Sequence, residues 1–354
     1  MELGGNAARE GVVAPIALAR PILEGNERKY VNECLDTGWL TYKGRFEGEF
    51  EKAISERLKS PALVCSSGTG ALHLALLSLG IGAGDEVIVP DLTFGTTASV
   101  VLAVGAKPVL VDVRRDTFGL DQNRVLGVLN KKTRAIIPVS LFGLDPGDFR
   151  QFGIPVIEDA AESFGMVPLR GRVSCFSFFA NKVLTTGEGG ALVGDFGNAR
   201  EWRNGGFDEE YRNTLPGLNY RMTNIQAAIG LAQMERCDEL LGARLANSEF
   251  YGKHLPGKGK WMFCVETKDP IGLIAHLKES GVESRPMFTP LHRSPAFRVY
   301  AKGKYKVSDE IWENHVSLPT GPHLKQEEIE KITELVNGFS NLRESHLSNP
   351  KLAA

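Results

Sequence analysis

The chain is poor in the features that mark several functional classes. Its 354 residues carry a formal net charge of −2, so nothing electrostatic favours nucleic acid or an anionic membrane as partner. Five cysteines (Cys34, Cys65, Cys175, Cys237 and Cys264) are scattered, odd in number and never spaced as CxxC. That pattern is expected of reduced thiols in a cytoplasmic protein. The histidines show no HExxH or HxxxH spacing, so no metal site is expected. Residues 1–12 contain no apolar signal-peptide core, and no apolar run approaches the length of a membrane span. Internal repeats and low-complexity segments are missing as well.

What remains is an ordinary globular composition, with 42% hydrophobic and 24% charged residues. The length suits one large domain and a smaller one. From Pro61 to Asp195 short apolar runs alternate with helical periodicity. Leu72, Ala75, Leu76 and Leu79 share one face of a helix predicted over 70–79. Strands are predicted at 86–90, 108–112, 134–139, 155–158, 173–179 and 191–193. Helices are predicted at 96–104 and 122–129, with a short element near Asp148. Val/Ile-rich runs alternating with helices indicate a mostly parallel sheet covered on both faces. Ligands of such sheets gather beyond the carboxyl ends of the strands. After Gly217 a long helical pattern, 225–245, bridges to a second domain. There a strand is predicted at 261–265 and helices at 271–280 and 326–338, while Pro286, Pro290 and Pro295 break the region between into loops. The predicted domains are 13–235, including the N-terminal segment, and 236–340. The polar tail 341–354 is expected to fray.

The most informative stretch is SCFSFFANK, 174–182, followed by the glycine-rich TTGEGG, 185–190. A lone lysine ends a run that reads as a buried strand. Apolar surroundings favour the neutral form of a lysine, the nucleophile that Schiff-base chemistry needs. Upstream, VIED (156–159) reads as a strand ending in a carboxylate. An acid at one strand tip and a lysine after another is the pairing expected around pyridoxal phosphate, with Lys182 on the aldehyde and Asp159 on the pyridinium nitrogen. Each residue alone has a plainer reading. Asp159 can cap a helix over Ala160–Ala161, with Glu162 as the N3 partner of a capping box. SSGTG (66–70) opens a helix and offers amides to an anion, or is a cap with flexible glycines. Ser177 can be a satisfied core hydroxyl, and the chain must turn near Ala180–Asn181 for it to share a site with Lys182. Phe94 can stack on an aromatic ring or belong to the core. Lys182 can be a solvated strand end. Cys175 sits in an apolar strand without a nearby histidine and reads as inert.

Taken together, these motifs resemble the sugar aminotransferase family of pyridoxal-phosphate enzymes, the DegT/DnrJ/EryC1/StrS type, and within it the perosamine-synthase-like members. The similarity runs from TGWLTYKG (37–44) to SLPTGP (317–322). It includes SSGTGALH (66–73), GDEVIVP (84–90), IEDAAE (157–162), the lysine segment and GLNYRMTNIQAA (217–228). The resemblance implies an aspartate-aminotransferase-like α/β fold (fold type I). Its large domain would hold a mostly parallel seven-stranded sheet, beside a smaller C-terminal α/β domain. Lys182 would form the internal aldimine and shuttle the proton, and Asp159 would keep the pyridine nitrogen protonated. Glu162, where many relatives carry Gln, would lie near the phenolic oxygen. Gly68, Thr69 and Ser177 would hold the phosphate, Phe94 would stack on the ring, and Asn219 would reach the phosphate of a neighbouring subunit. An obligate cytoplasmic homodimer with shared sites follows from that last role.

The implied reaction takes the amino group of glutamate through pyridoxamine phosphate to a nucleotide-linked 4-keto-6-deoxy sugar. GDP-4-keto-6-deoxymannose, giving GDP-perosamine for lipopolysaccharide O-antigen, is the favoured case. Arg285, His292 and Arg293, in a segment (283–295) similar to perosamine-synthase-like members, are candidates for substrate contact. UDP- or dTDP-linked sugars, amination at C3, aminocyclitols and eight-carbon keto acids stay open. Related sugar dehydratases carry histidine in place of the lysine, and Lys182 opposes that reading. A non-catalytic sensor on this scaffold would lack the lysine or the aspartate. A desulfurase would need a cysteine in a mobile loop. One departure stands out: relatives have a longer connection than 163–173 between the Glu162 position and the strand bearing Ser177.

Overall fold

The computed structural model describes residues 15–208 and 210–348, with side chains to residue 340. Helices α1 (Glu27–Thr37) and α2 (Arg45–Leu58) precede the sheet. The sheet strands are β1 (Ala62–Cys65), β2 (Glu86–Pro90), β3 (Lys107–Val111), β4 (Thr133–Ile136), β5 (Ile157–Asp159), β6 (Val173–Ser177) and β7 (Gly190–Gly194). Strand β2 pairs in parallel with β3 and β4, and β5 in parallel with β6. Strand β7 runs antiparallel between β1 and β6. Parallel bridges Ile136–Val156 and Val139–Asp159 join the two groups, so the order is β3-β2-β4-β5-β6-β7-β1. The mostly parallel, fold-type-I reading holds, with β7 the antiparallel member among the described strands. Strand β1 was not among the strands expected from the sequence.

Side chains alternate across the sheet as a two-residue period demands. Leu63, Cys65, Val173 and Cys175 join the core under α3 (Gly68–Ser78) and α4 (Thr96–Ala103). Ala62, Val64, Phe176 and Phe178 join the opposite core, under α2 and α7 (Asn224–Glu235). There Gly230 leaves room for the fully buried Phe50, whose ring a Cβ would strike. Burying such a ring stabilises by roughly 1.5–3 kcal/mol. Helix α5 (Gln122–Leu126) turns Val125 into a smaller core with Ile88, Val111 and Ile136, and α6 (Ala199–Arg203) packs beside α3.

The long periodic stretch expected over 225–245 is two helices, α7 and α8 (Cys237–His254). The backbone leaves helical values at Arg236 (φ −109°, ψ 13°). Cys237, Leu240 and Leu241 still face the same core, so apolar spacing continues through the break. Beyond it, β8 (Gly257–Lys258), β9 (Phe263–Glu266), β10 (Arg285–Pro286) and β11 (His315–Leu318) form an antiparallel sheet ordered β10-β11-β9-β8. It packs with α8, α9 (Pro270–Glu279) and α11 (Gln326–Ser348) around Tyr251, Leu273, Leu277, Ile329 and Ile332. Helix α10 (Lys306–Asn314) precedes β11.

Two differences from expectation concern the ends. Residues 16–18 lie on the smaller unit: Ile16 bridges Val282, and the Leu18 N–H donates to Glu283 Oε2 at 2.9 Å. Helix α11 continues to Ser348, into the stretch read as frayed; 349–354 lie outside the described residues. The compact 163–173 connection is tied down: Arg170 grips Asp145 at 2.6 and 2.7 Å, and its N–H meets the Glu158 carboxylate. Among the described residues no helix is long and apolar enough to cross a membrane.

Candidate active site

The carboxyl ends of β2, β5 and β6 and the start of α3 open into one cavity of about 310 Å³. Lys182, Asp159, Glu162, Ser177, Gly68, Thr69, Phe94 and Arg285 all line it. After β6 the chain turns at Ala180–Asn181, closed by the Lys182 N–H on Phe179 O at 2.9 Å. That turn brings Lys182 to the same side as Ser177. Lys182 Nζ lies 3.4 Å from Glu162 Oε1 and 4.1 Å from the Trp261 ring centroid. Trp261 is fixed in turn by its indole N–H on Asn181 O at 3.0 Å.

Asp159 ends β5 and is 6% exposed. Its Oδ2 accepts from Thr97 Oγ1 at 2.8 Å, and Thr97 shares a hydroxyl contact with Thr93 at 3.0 Å. Burial pushes this carboxyl above its ordinary range, opposed by the Thr97 hydrogen bond. No helix follows Asp159, so the capping readings of Asp159 and Glu162 fall; Asp159 Oδ1 closes a tight turn on the Ala161 N–H at 3.3 Å. Glu162 Oε2 instead accepts the Phe142 N–H at 2.8 Å. Burial raises the Glu162 carboxyl too, against the pull of the Lys182 charge.

At the start of α3, Ser67 caps the helix, its Oγ accepting the Gly70 N–H at 3.0 Å. The free amides and helix dipole there favour an anion. Gly68 is required by contact: a Cβ would stand 2.8 Å from Ser177 Cβ. Phe94 is 59% exposed and meets Phe288 edge-on at 5.7 Å. Phe288 stacks on Phe142 (5.7 Å, 11°), and Phe142 on Trp261 (6.1 Å, 20°). Phe142 has φ +53°, a left-handed conformation that costs about 1–2 kcal/mol in a residue with a side chain. The Glu162 bond and the two ring contacts hold it there.

This donor set fits pyridoxal phosphate. An amine stands ready for an aldehyde, and a buried carboxylate for a ring nitrogen. A glycine-tight helix start suits a phosphate, and an exposed aromatic face suits a ring. The thiols do not compete: all five are buried, and burial pushes Cys175 well up and Cys65 to about 12. Among the described residues no cluster could hold a metal ion.

Three expected residues lie elsewhere. His292 Nδ1 meets Asp91 Oδ2 at 2.7 Å, its Nε2 lies 3.2 Å from Asp309 Oδ1, and its ring stacks on Tyr305. Arg293 pairs with Asp309 at 2.6 Å and Glu313 at 2.9 Å, over the Trp312 ring. Both side chains clasp the 291–293 turn to the end of β2 and to α10, and neither lines the cavity, because carboxylates already consume their donors. Asn219 is exposed outside the cavity, near Leu218 and with its Oδ1 on the Arg221 N–H at 3.3 Å. Conversely, Thr97, Phe142, Asn181 and Trp261 escaped sequence reasoning. A threonine pair opening the helix after β2 was a usable signal for Thr97; Trp261 is distant in sequence from Lys182 and gave none.

The profile of the DegT/DnrJ/EryC1/StrS aminotransferase family matches residues 21–337. The chain is 41% identical to a GDP-perosamine synthase of Caulobacter vibrioides, over 90% of this chain and 96% of that one. Among solved structures it is similar to a DegT DnrJ EryC1 StrS aminotransferase from Brucella abortus, with TM-score 0.82, 30% identity and coverage of 89% and 95%. The PLP form of Spr1654 from Streptococcus pneumoniae superposes with TM-score 0.81 at 26% identity, covering 91% and 97%.

Proposed function

The chain belongs to the DegT/DnrJ/EryC1/StrS aminotransferase family and is a pyridoxal-phosphate-dependent aminotransferase of the sugar type; from that premise we propose that it moves the amino group of glutamate to C4 of a GDP-linked 4-keto-6-deoxy sugar. GDP-4-keto-6-deoxymannose would yield GDP-perosamine. The near-full-length likeness to a GDP-perosamine synthase carries this choice of sugar.

When bound, the cofactor supplies an aldehyde for the amine and a ring that draws electrons from the reacting carbon. Lys182 Nζ would hold it and carry the proton beside the reacting carbon. That role needs the amine in both protonation states at working pH. Asp159, oriented by Thr97, keeps a proton on the ring nitrogen. Gly68, Thr69 and Ser177 would bind the phosphate, Phe94 would cover the ring, and Glu162 would serve the phenolic oxygen. Arg285 meets an anionic part of the substrate. His292 and Arg293 position the segment that carries Arg285 and Phe288.

The protein acts as a homodimer in which Asn219 reaches the partner's phosphate. Trp39, Leu40 and Leu218 support this: each is 43% exposed or more, and Asn224 ties residues 39–41 to the 218–224 stretch through Trp39 O and Leu40 O. Exposed apolar side chains such as these suit a twofold interface.

A panel of GDP-, UDP- and dTDP-linked keto sugars, incubated with glutamate and analysed by NMR of the product, tests the reading. GDP-perosamine as the main product is expected. Turnover confined to UDP- or dTDP-sugars, or amination at C3, contradicts it.

A further inference from the structure

The Lys182 cavity has a neighbour. A second cavity, of about 420 Å³, lies between residues 15–19, α9 and β10. Leu18, Phe179, Asn181, Met262 and Arg285 line both spaces, so these residues form a shared partition. Asn181 is the partition residue bonded directly to Lys182 in the chain.

The polar chemistry of the second cavity is unbalanced. Asn181 Oδ1 and Ser284 Oγ are buried there with no hydrogen-bond partner among the described residues. Buried polar atoms are nearly always satisfied, so two on one cavity wall call for a polar occupant. Lys278 and Arg285 add two cations that no carboxylate pairs among the described residues. The carboxylate that lines this cavity, Glu283, accepts the Leu18 N–H at 2.9 Å and is partly consumed. A guanidinium fork, an ammonium, a hydroxyl and an amide able to present its NH₂ are donors awaiting acceptors. Anionic oxygens, as in a carboxylate or a diphosphate, match that set, and the planar fork of arginine suits both.

We propose that the second cavity is an anion subsite, which holds the anionic end of a substrate through Arg285, Lys278, Ser284 and Asn181 while its reacting carbon lies beside Lys182. The subsite rests on the aminotransferase reading, which supplies two sources of such oxygens: the carboxylates of glutamate and the diphosphate of a nucleotide sugar.

Calorimetric titration of the cofactor-loaded protein with glutarate and, separately, inorganic pyrophosphate tests this. Saturable binding of at least one probe is expected, weakened about tenfold by Arg285→Ala and by Lys278→Ala. Arg285→Lys should retain part of the affinity. Weakened glutarate binding marks the amino donor as the source, weakened pyrophosphate binding the nucleotide sugar, and both together a subsite used in turn. In steady state each variant raises KM for the matching substrate by more than it lowers kcat, and the cofactor's absorbance stays. Neither probe binding, or binding untouched by both alanine variants, overturns the subsite. Loss of cofactor absorbance in the variants also overturns it, since those residues would then support the cofactor. Intact anion binding with no turnover of any GDP-sugar contradicts the proposed substrate and leaves the subsite standing.

Discussion

The Lys182 cavity has two walls built in different ways. One comes from strand ends and the turns after them: Ser67 to Thr69, Asp159, Ser177 and Lys182, all in or beside β1, β5 and β6. Several of the groups there are aimed by short-range bonds, such as the Ser67 cap and the turn before Lys182, while Asp159 also takes the Thr97 hydroxyl. The facing wall is assembled across the chain from Phe142, Trp261, Arg285 and Phe288. It is mostly aromatic, and tertiary contacts alone position it. The comparison teaches that rigid sheet ends carry the cofactor groups, while the more distant wall is free to vary with the substrate.

The sharpest way to break this comparison is at the lysine. Lys182→Ala should lower transamination by about 10⁴-fold or more and abolish the visible absorbance of the attached cofactor. Asp159→Asn comes next, with a turnover loss on the order of 10²–10³-fold in stopped-flow assays. It carries an opposite effect on stability. Burial raises this carboxyl, so ionising it in the folded, cofactor-free protein is unfavourable; the penalty is absent at low pH and grows as pH rises through the folded value. Asp159→Asn should therefore raise the melting temperature of the cofactor-free protein, by more at pH 8 than at a pH below the ordinary carboxylate range. Equal shifts at both would contradict the burial account.

Substitutions behind the two walls should read differently. His292→Ala strips the buried Asp91 carboxylate of its imidazole partner. A loss of about 1–3 kcal/mol in denaturant unfolding is expected, with a higher KM for sugar and normal cofactor capture. Cofactor loss as severe as in Lys182→Ala would erase the distinction between the walls. The smallest effect belongs to Thr97→Val, which removes one of the two hydrogen bonds on Asp159. Cofactor affinity, read by equilibrium titration, should fall about tenfold.

The same contrast explains what was legible in the sequence. Lys182, Asp159, Ser177 and the α3 start follow short apolar runs whose period and ending residues are local signals, and the structure brings them together. The parallel sheet was readable from the same runs. The clasp was not: nothing near His292 or Arg293 reveals that Asp91 and Asp309 will take their donors, so both looked available to substrate. The stack of Phe142 with Trp261 depends on a left-handed residue that no local pattern announces. The break at Arg236 was hidden because apolar spacing runs through it. The docking of residues 16–18 on the 281–283 segment is a long-range pairing of the same kind.

Borohydride reduction of the cofactor-loaded protein, followed by peptide mass mapping, tests the central claim most directly. The account predicts a pyridoxyl group on the peptide containing Lys182 and on no other lysine. Trapping on a different lysine, with Lys182 unmodified, would contradict it.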